Sequence, residues 1–147
     1  MNTDLSLLLK QAERLIDTQL IAVLRDENLS AEEWRVLDIL SDGEGRMMSD
    51  LASEAVFNLP ALSKLTDRLV ARALLFRAPA PDDRRKVLVF ISDHGLAVYR
   101  RLKPDIEASG EALLANVSEN RIEQLKKLLS SFIRDARPPE PGIKTGL

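Results

Sequence analysis

The sequence predicts a mainly α (α+β) fold, in which helices surround a single two-stranded hairpin. Three observations lead to this prediction. Apolar residues recur at helical spacing from Leu5 to Leu24. A short helical segment, a two-residue connection and a second helix with one polar side lie between residues 49 and 72. Two strand-like runs then flank the charged loop "PAPDDRR", residues 79–85.

The composition is typical of a single globular domain and excludes several kinds of site. The chain has 147 residues, enough for one hydrophobic core, and no cysteine, so disulfides and thiolate metal sites are excluded. No apolar run approaches the roughly 18 residues of a membrane span, and "MNTDLSLLLKQAERL" does not have the pattern of a secretory leader. We therefore expect a cytoplasmic protein that makes no membrane contact.

Charge is distributed unevenly along the chain. The net charge is −2, but residues 1–57 carry 5 basic and 12 acidic side chains, whereas residues 58–86 carry 7 basic and 3 acidic ones. Such a local surplus of positive charge indicates where an anionic partner would bind.

Local signals place the two helices that follow the N-terminal one. Ser30, with Glu33 three residues later, has the pattern of a capping box and opens a second helix, which "SDGEG" (41–45) ends. Ser49 is the best candidate cap for a short third helix that reaches Val56.

A fourth helix, Leu59 to Arg72, is predicted to have two different sides. Asn58 is a good N-cap, and Pro60 suits the first turn because its missing N–H has no helical partner there. The 3.6-residue period separates a buried side, formed by Leu62, Leu65, Thr66 and Leu69, from an outer side, formed by Pro60, Ser63, Lys64, Asp67 and Arg68.

Two further helices are predicted after the hairpin. Ser92 caps a long helix that begins at Asp93 and is expected to break or bend near Pro104. Ser118 caps a last helix that runs to about Arg137.

The short third helix, the fourth helix and the hairpin have the order of a winged helix-turn-helix. In such a fold the second helix of the pair lies in the DNA major groove, and the hairpin tip reaches the adjacent minor groove, which attracts arginine. The strand-like runs "LLFRA" and "KVLVFI" place Arg84, Arg85 and Lys86 around this tip. The pattern therefore predicts binding to double-stranded DNA.

From about residue 29 to 103 the sequence resembles the MarR family of bacterial winged-helix transcription regulators. The pieces that carry the resemblance are Leu51-Ala52, "LTDRL" (65–69), Leu74 to Arg77, Asp83-Arg84-Arg85 and "ISDHG" (91–95), where the family usually has Leu-Thr-x-x-Gly. Two departures are visible. Ala73 stands where the family often has glycine, and Pro60 and Ala61 replace hydroxyl residues that are common in the family.

The resemblance implies a set of DNA-binding residues. They are Pro60, Ala61, Ser63, Lys64 and Arg68 on the recognition helix, and Arg84, Arg85 and Lys86 on the wing. It also implies that Arg85 enters the minor groove and that Asp83 orients it through a carboxylate–guanidinium pair.

The resemblance further implies how the chain is organised. Residues 1–147 would form a single MarR-type domain, with the winged helix-turn-helix at 29–103, the helical dimerisation part at 1–28 and 104–137, and a flexible tail at 138–147. The homodimer would bind a near-palindromic operator with half-sites about one helical turn apart. Repression is the default, because a bound dimer occludes polymerase. Many members respond to a small, often anionic or aromatic ligand; whether this chain has such an effector stays open.

Other interpretations of the charged residues stay open at this point. The wing-tip cations could be a solvated turn, and Lys64 and Arg68 could pair along the helix with Asp67, whose partner we expect to be Arg84 or Arg68. The same surface could also belong to a winged-helix module that binds an acidic protein, because a fold does not fix a function.

No combination of residues indicates an enzyme, a cofactor or a metal site. The sequence has no phosphate-binding glycine loop, and its single histidine, His94, has no second histidine or cysteine nearby. Trp34 and Phe57 fit core positions. We therefore expect a protein that does not catalyse a reaction and holds no cofactor.

Overall fold

The computed structural model describes residues 3–137, and the chain divides into two compact units, residues 1–111 and 112–147. The tail predicted at 138–147 lies outside the described residues. The elements are α1 (Thr3–Leu24), a short 3-10 turn (Arg25–Glu27), α2 (Ala31–Leu40), α3 (Met48–Ala55), α4 (Leu59–Ala71), β1 (Leu75–Pro79), β2 (Val87–Ile91), α5 (Asp93–Leu113) and α6 (Glu119–Asp135). The predicted mainly α fold with one hairpin is confirmed.

The core of the first unit lies where α2, α3, α4 and the hairpin meet. Its most deeply buried side chains are Leu24, Val36, Leu37, Leu40, Leu51, Leu62, Thr66, Leu69 and Val89. Trp34 is also buried, as predicted, and its ring stacks on that of Tyr99 in α5 at a centroid distance of 4.8 Å. The Tyr99 hydroxyl donates to Asp38 Oδ1 at 2.6 Å, so the polar end of this buried ring is satisfied.

The start of α2 is as predicted, but that of α3 is not. The Glu33 N–H donates to Ser30 Oγ at 3.0 Å and the Ser30 N–H donates to Glu33 Oε1 at 3.1 Å, which completes the capping box. The prediction that Ser49 caps α3 is wrong: the cap is Met47, without a side-chain bond. The reason is not local, because Arg46 pairs with Val89 of β2 and keeps the chain extended up to Met47.

The hairpin is a regular antiparallel pair. Leu75 lies opposite Ile91 and Pro79 lies opposite Val87. Because side chains alternate across a strand, one face of the pair carries Val89 and Ile91 into the core. On the other face, the rings of Phe76 and Phe90 stack at 5.2 Å.

A tight junction joins the end of α4 to the start of α5. Ala73 has a left-handed backbone, with φ at 59°, and its carbonyl accepts from Ser92 Oγ at 2.6 Å. Ser92 Oγ in turn accepts from the Gly95 N–H at 2.9 Å, as predicted for a cap. A Cβ on Gly95 would lie 2.1 Å from the Leu74 carbonyl oxygen, so only glycine permits this approach.

The helices after the hairpin differ from the prediction at one point. Of the break or bend expected near Pro104, the break is wrong, because α5 continues through the proline to Leu113; the bend stays a prediction. Tyr99 and Leu102 before the proline and Ile106 after it pack on the core, and this packing compensates for the hydrogen bond that proline cannot make. In the second unit, Ser118 caps α6 as predicted: it accepts from the Arg121 N–H at 3.3 Å.

The left-handed backbone of Ala73 leads to a prediction about stability. A non-glycine residue in this region loses about 1–2 kcal/mol through contact between Cβ and the backbone. Replacing Ala73→Gly removes that contact at a smaller cost in chain entropy, so we expect the free energy of unfolding to rise by about 0.5–1 kcal/mol. Urea denaturation followed by circular dichroism measures the change.

A matched control lies within α5. Ala97 is exposed and helical, so Ala97→Gly is expected to lower the free energy of unfolding by about 1 kcal/mol. A loss of stability in Ala73→Gly comparable to that in Ala97→Gly would contradict the strain assigned to Ala73.

Candidate nucleic-acid interface

The α3–α4 pair is joined by a three-residue turn. Val56 ends α3 with a left-handed backbone, φ 59°, and its side chain is 89% exposed. Asn58 begins α4, because its Oδ1 accepts from the Ala61 N–H at 2.8 Å. The predicted Asn58 cap is thereby confirmed.

Helix α4 has the two sides that its sequence period predicts. The buried side consists of Leu62, Leu65, Thr66 and Leu69, and the Thr66 hydroxyl lies 3.9 Å from Met48 Sδ of α3. The predicted outer residues are all exposed: Pro60, Ser63, Lys64, Asp67 and Arg68. Ala61 is exposed as well. The burial of four side chains fixes how the helix is rotated, and therefore which residues face outward.

The tip of the hairpin is closed by its own backbone. The Ala80 N–H donates to the Lys86 carbonyl at 2.8 Å, and the Lys86 N–H donates to the Asp83 carbonyl at 3.0 Å. Ala80 is buried beneath this turn, whereas Arg84 and Lys86 are exposed. The turn therefore presents its cations to solvent on an ordered backbone.

Asp83 contacts Arg85 in the way that the resemblance implies. Its Oδ1 accepts from the Arg85 backbone N–H at 3.1 Å and from Arg85 Nε at 3.3 Å. The Arg85 side chain is 92% exposed, so the carboxylate holds the base of a guanidinium that otherwise projects into solvent. The proposed role of this contact, orienting Arg85 toward DNA, stays a prediction.

Asp67 on the outer side of α4 binds a residue that the sequence did not single out. Its Oδ1 accepts from Arg77 Nη2 of β1 at 2.6 Å, so the expected partners Arg84 and Arg68 are wrong. Arg77 lies opposite Val89 in the hairpin, and this register, not sequence distance, brings it to α4. The pair links the recognition helix to the wing.

The cations of the outer surface differ in whether they have a partner. Among residues 3–137, no carboxylate pairs with Lys64, Arg68, Arg84 or Lys86. Arg77, by contrast, pairs with Asp67 and so joins β1 to α4. Four unpaired cations on α4 and the hairpin tip can therefore receive an external anion without breaking an internal contact.

A comparison with protein families assigns this part of the chain to a family. A family model described as the MarR family matches residues 27–86. The chain carries a MarR family domain. That domain contains α2, α3, α4 and the hairpin up to Lys86.

Relatives extend the similarity beyond the matched MarR family domain. The homoprotocatechuate degradative operon repressor of Escherichia coli is 27% identical over 133 residues, which are 90% of each chain. A solved structure of mutant MarR from Escherichia coli in complex with operator DNA superposes with a TM-score of 0.80, at 24% identity over 88% of this chain and 94% of that one. BpsR of Bordetella bronchiseptica superposes with a TM-score of 0.78, at 25% identity over 90% and 94%. The similarity to the MarR structure shows that this chain has the same fold.

An ion cluster braces the MarR family domain at the entry to α3. Arg46 Nη2 contacts Asp42 Oδ2 at 2.6 Å, and Arg46 Nε contacts Glu54 Oε1 at 3.3 Å. The Arg46 guanidinium lowers the pKa of the Asp42 carboxyl, and the two carboxylates raise the pKa of Arg46. Sequence reasoning missed this cluster, because Arg46 is positioned by its pairing with β2.

A second arginine anchors the end of the recognition helix. Arg72, the C-cap of α4, donates to the carbonyls of Glu27 and Asn28 at 3.0 and 2.8 Å. The Glu27 carboxylate in turn pairs with Arg101 of α5, and Arg101 Nη2 lies 2.9 Å from Glu27 Oε2. Hydrogen bonding to Arg101 lowers the pKa of Glu27, and the charge of Arg72 acts in the same direction.

No helix among residues 3–137 is long and apolar enough to cross a membrane.

The lowered pKa of Glu27 leads to a prediction about pH. Because the pKa of Glu27 is lower in the folded chain than in the unfolded chain, its contribution to stability is present above the unfolded pKa and is lost as the pH falls through the folded value. We expect Glu27→Gln to be less stable than the wild type at pH 7 and the difference to shrink below about pH 4. Thermal unfolding across this range measures both.

Glu32 provides the control for that experiment. It is exposed and forms no ion pair among the described residues, so Glu32→Gln is expected to change stability little at either pH. A Glu27→Gln difference that stays constant from pH 7 to pH 3 would contradict the role assigned to the Arg101 pair.

Proposed function

We propose that this chain is a DNA-binding transcriptional regulator that contacts duplex DNA through the outer side of α4 and the hairpin tip. The observation that carries the proposal is the set of unpaired, exposed cations on these two elements: Lys64, Arg68, Arg84 and Lys86. The DNA backbone carries one negative charge per phosphate, and lysine and arginine contacts to it supply much of the affinity. The homoprotocatechuate degradative operon repressor, similar over 90% of both chains, supports the same function.

Helix α4 is the element that fits the major groove. Its buried side is fixed in the core, so Ser63, Lys64 and Arg68 face outward together. Lysine and arginine can donate to guanine O6 and N7 or to phosphate, and the serine hydroxyl can donate or accept at a base edge. These three residues carry the polar contacts that we propose for the recognition helix.

The hairpin tip fits the minor groove. Arg85 projects from a turn whose backbone is hydrogen bonded, and Asp83 holds its Nε. A narrow minor groove has an enhanced negative potential that favours an inserted guanidinium. Arg84 and Lys86 flank Arg85 and are exposed, and we propose that they contact the phosphates on either side.

We extend the proposal to a homodimer that binds a near-palindromic operator. Within the first unit, α1 exposes large apolar side chains, among them Leu8, Leu15 and Ile16. Within the second unit, α6 exposes Leu128 and Ile133. Exposed apolar surface on two helices outside the DNA-binding part is what a dimer would bury, and a two-fold dimer requires half-sites about one helical turn apart.

The remaining parts of the proposal concern regulation and setting. Repression follows if the bound dimer occludes polymerase. For BpsR, DNA binding is regulated by 6-hydroxynicotinic acid, and we propose relief by a small molecule here too, through an equilibrium between conformations that bind DNA unequally. We further propose a cytoplasmic protein that catalyses no reaction and requires no cofactor.

The first test of the function uses Arg85. A near-palindromic duplex is selected from random fragments with the wild-type protein, and binding is titrated at two salt concentrations. We expect Arg85→Ala to weaken binding by about 1–3 kcal/mol and to make the salt dependence shallower, because a cation no longer displaces counterions. Arg121→Ala, at an exposed arginine in the first turn of α6, is the control and should leave both quantities unchanged.

The same titration decides between DNA and a protein as the partner. If the wild type selects no duplex and shows no salt-dependent binding, the DNA-binding function is wrong. The winged-helix surface would then have to serve an acidic protein.

A second test concerns the Asp67–Arg77 pair. Removing the guanidinium in Arg77→Gln leaves the Asp67 carboxylate facing the phosphates without a neutralising partner, so DNA binding should weaken by about 1 kcal/mol. Asp67→Asn removes that repulsion, and Arg77→Gln should have little further effect in its background. The double-mutant cycle is measured by titration with the selected duplex. An equal loss in both backgrounds would contradict neutralisation and indicate that Arg77 contacts DNA itself.

A further inference from the structure

The first turn of α4 presents only apolar side chains on the surface that we propose faces DNA. Leu59 is 51% exposed, and Pro60 and Ala61 are exposed beside it. The buried side of the helix begins only at Leu62, so these three residues add little to the core. Their exposed apolar surface needs another explanation.

The side chains of this turn cannot form hydrogen bonds. Residues 59–61 carry no side-chain donor or acceptor, and Pro60 has no backbone N–H. The Ala61 N–H is already bound by Asn58 Oδ1 at 2.8 Å. Ser63 is the first residue of α4 whose side chain can hydrogen bond to a base. The side chains of the first turn can therefore recognise DNA only through apolar contacts.

The major groove offers one apolar group. Every base pair presents donors and acceptors there, but only thymine adds a methyl group, at C5. The N-terminal residues of a recognition helix are those that contact base edges. Lys64 and Arg68, one and two turns further along α4, are unpaired cations that can hold this end of the helix against phosphates.

We propose that Leu59, Pro60 and Ala61 determine specificity by packing against the 5-methyl groups of thymines in each operator half-site. This inference rests on the proposed DNA-binding function and adds to it the base and the atom that the first turn of α4 reads. Selection by shape and van der Waals contact replaces the hydrogen bonds that hydroxyl residues at these positions would make.

Deoxyuridine substitution tests the proposed contact by removing one thymine methyl group at a time. In the selected duplex, each thymine is replaced singly by deoxyuridine, which lacks the 5-methyl group and keeps the same hydrogen-bonding edge. Binding of the full-length protein should weaken about fourfold at one or two positions in each half-site, the factor that corresponds to exposing one buried methyl group.

Two variants separate direct contact from an effect of the methyl group on DNA shape. Leu59→Ser removes the largest apolar side chain of the turn, and the discrimination between thymine and deoxyuridine should fall to less than twofold. Val87→Ser is the matched control, because Val87 is an aliphatic residue of similar exposure, 54%, on the hairpin instead of α4. It should retain the fourfold discrimination, since an effect of DNA shape alone would act on every variant alike.

The possible results distinguish this inference from the proposed function. Selective binding with no thymine–deoxyuridine discrimination, or with discrimination that Leu59→Ser retains, overturns the inference and leaves the DNA-binding function intact. The absence of any selective DNA binding overturns both, and the apolar turn would then belong to a surface for a protein partner.

Discussion

The structure depends first on the burial of one side of α4. Leu62, Leu65, Thr66 and Leu69 are enclosed by the core, and together they span about two turns of the helix. A helix held at four positions on one side cannot rotate without exposing them, at a cost of about 1.5–3 kcal/mol for each large apolar side chain. The direction in which Lys64 and Arg68 point is therefore set by the four buried residues, which are not accessible to DNA.

Two polar contacts join the hairpin to α4 and to the residues that follow it, in addition to the buried contacts of the shared core. Arg77 ties β1 to Asp67 of α4, and Ser92 ties the end of β2 to the Ala73 carbonyl. The domain accepts a strained backbone on both sides of α4, since Val56 before it and Ala73 after it have left-handed φ angles. Such strain persists only where surrounding contacts determine the backbone, and here it fixes the turns into and out of α4.

Sequence reasoning succeeded where the determining signal is local. The period of α4 separated its buried side from its outer side correctly, and the caps at Ser30, Asn58 and Ser118 depend on residues no more than three positions apart. The residues predicted to bind DNA are exposed, as the period of α4 and the charge of the hairpin loop indicated.

Sequence reasoning failed where contacts with a distant segment determine the local structure. The start of α3 is set by the pairing of Arg46 with Val89, more than forty residues away in sequence. The partner of Asp67 is set by the register of the hairpin, which brings Arg77 to α4. The helix through Pro104 persists because tertiary packing outweighs a local breaker. None of these contacts can be predicted from a short stretch of sequence, because each depends on how the chain folds.

The central claim is that α4 and the hairpin tip form one DNA-binding surface. Backbone hydrogen exchange, measured by mass spectrometry on the full-length protein with and without the selected duplex, tests it directly. Protection on DNA binding in both residues 58–68 and residues 80–87 is the expected result. Protection confined to α1 or α6, with both of these segments unchanged, would contradict it.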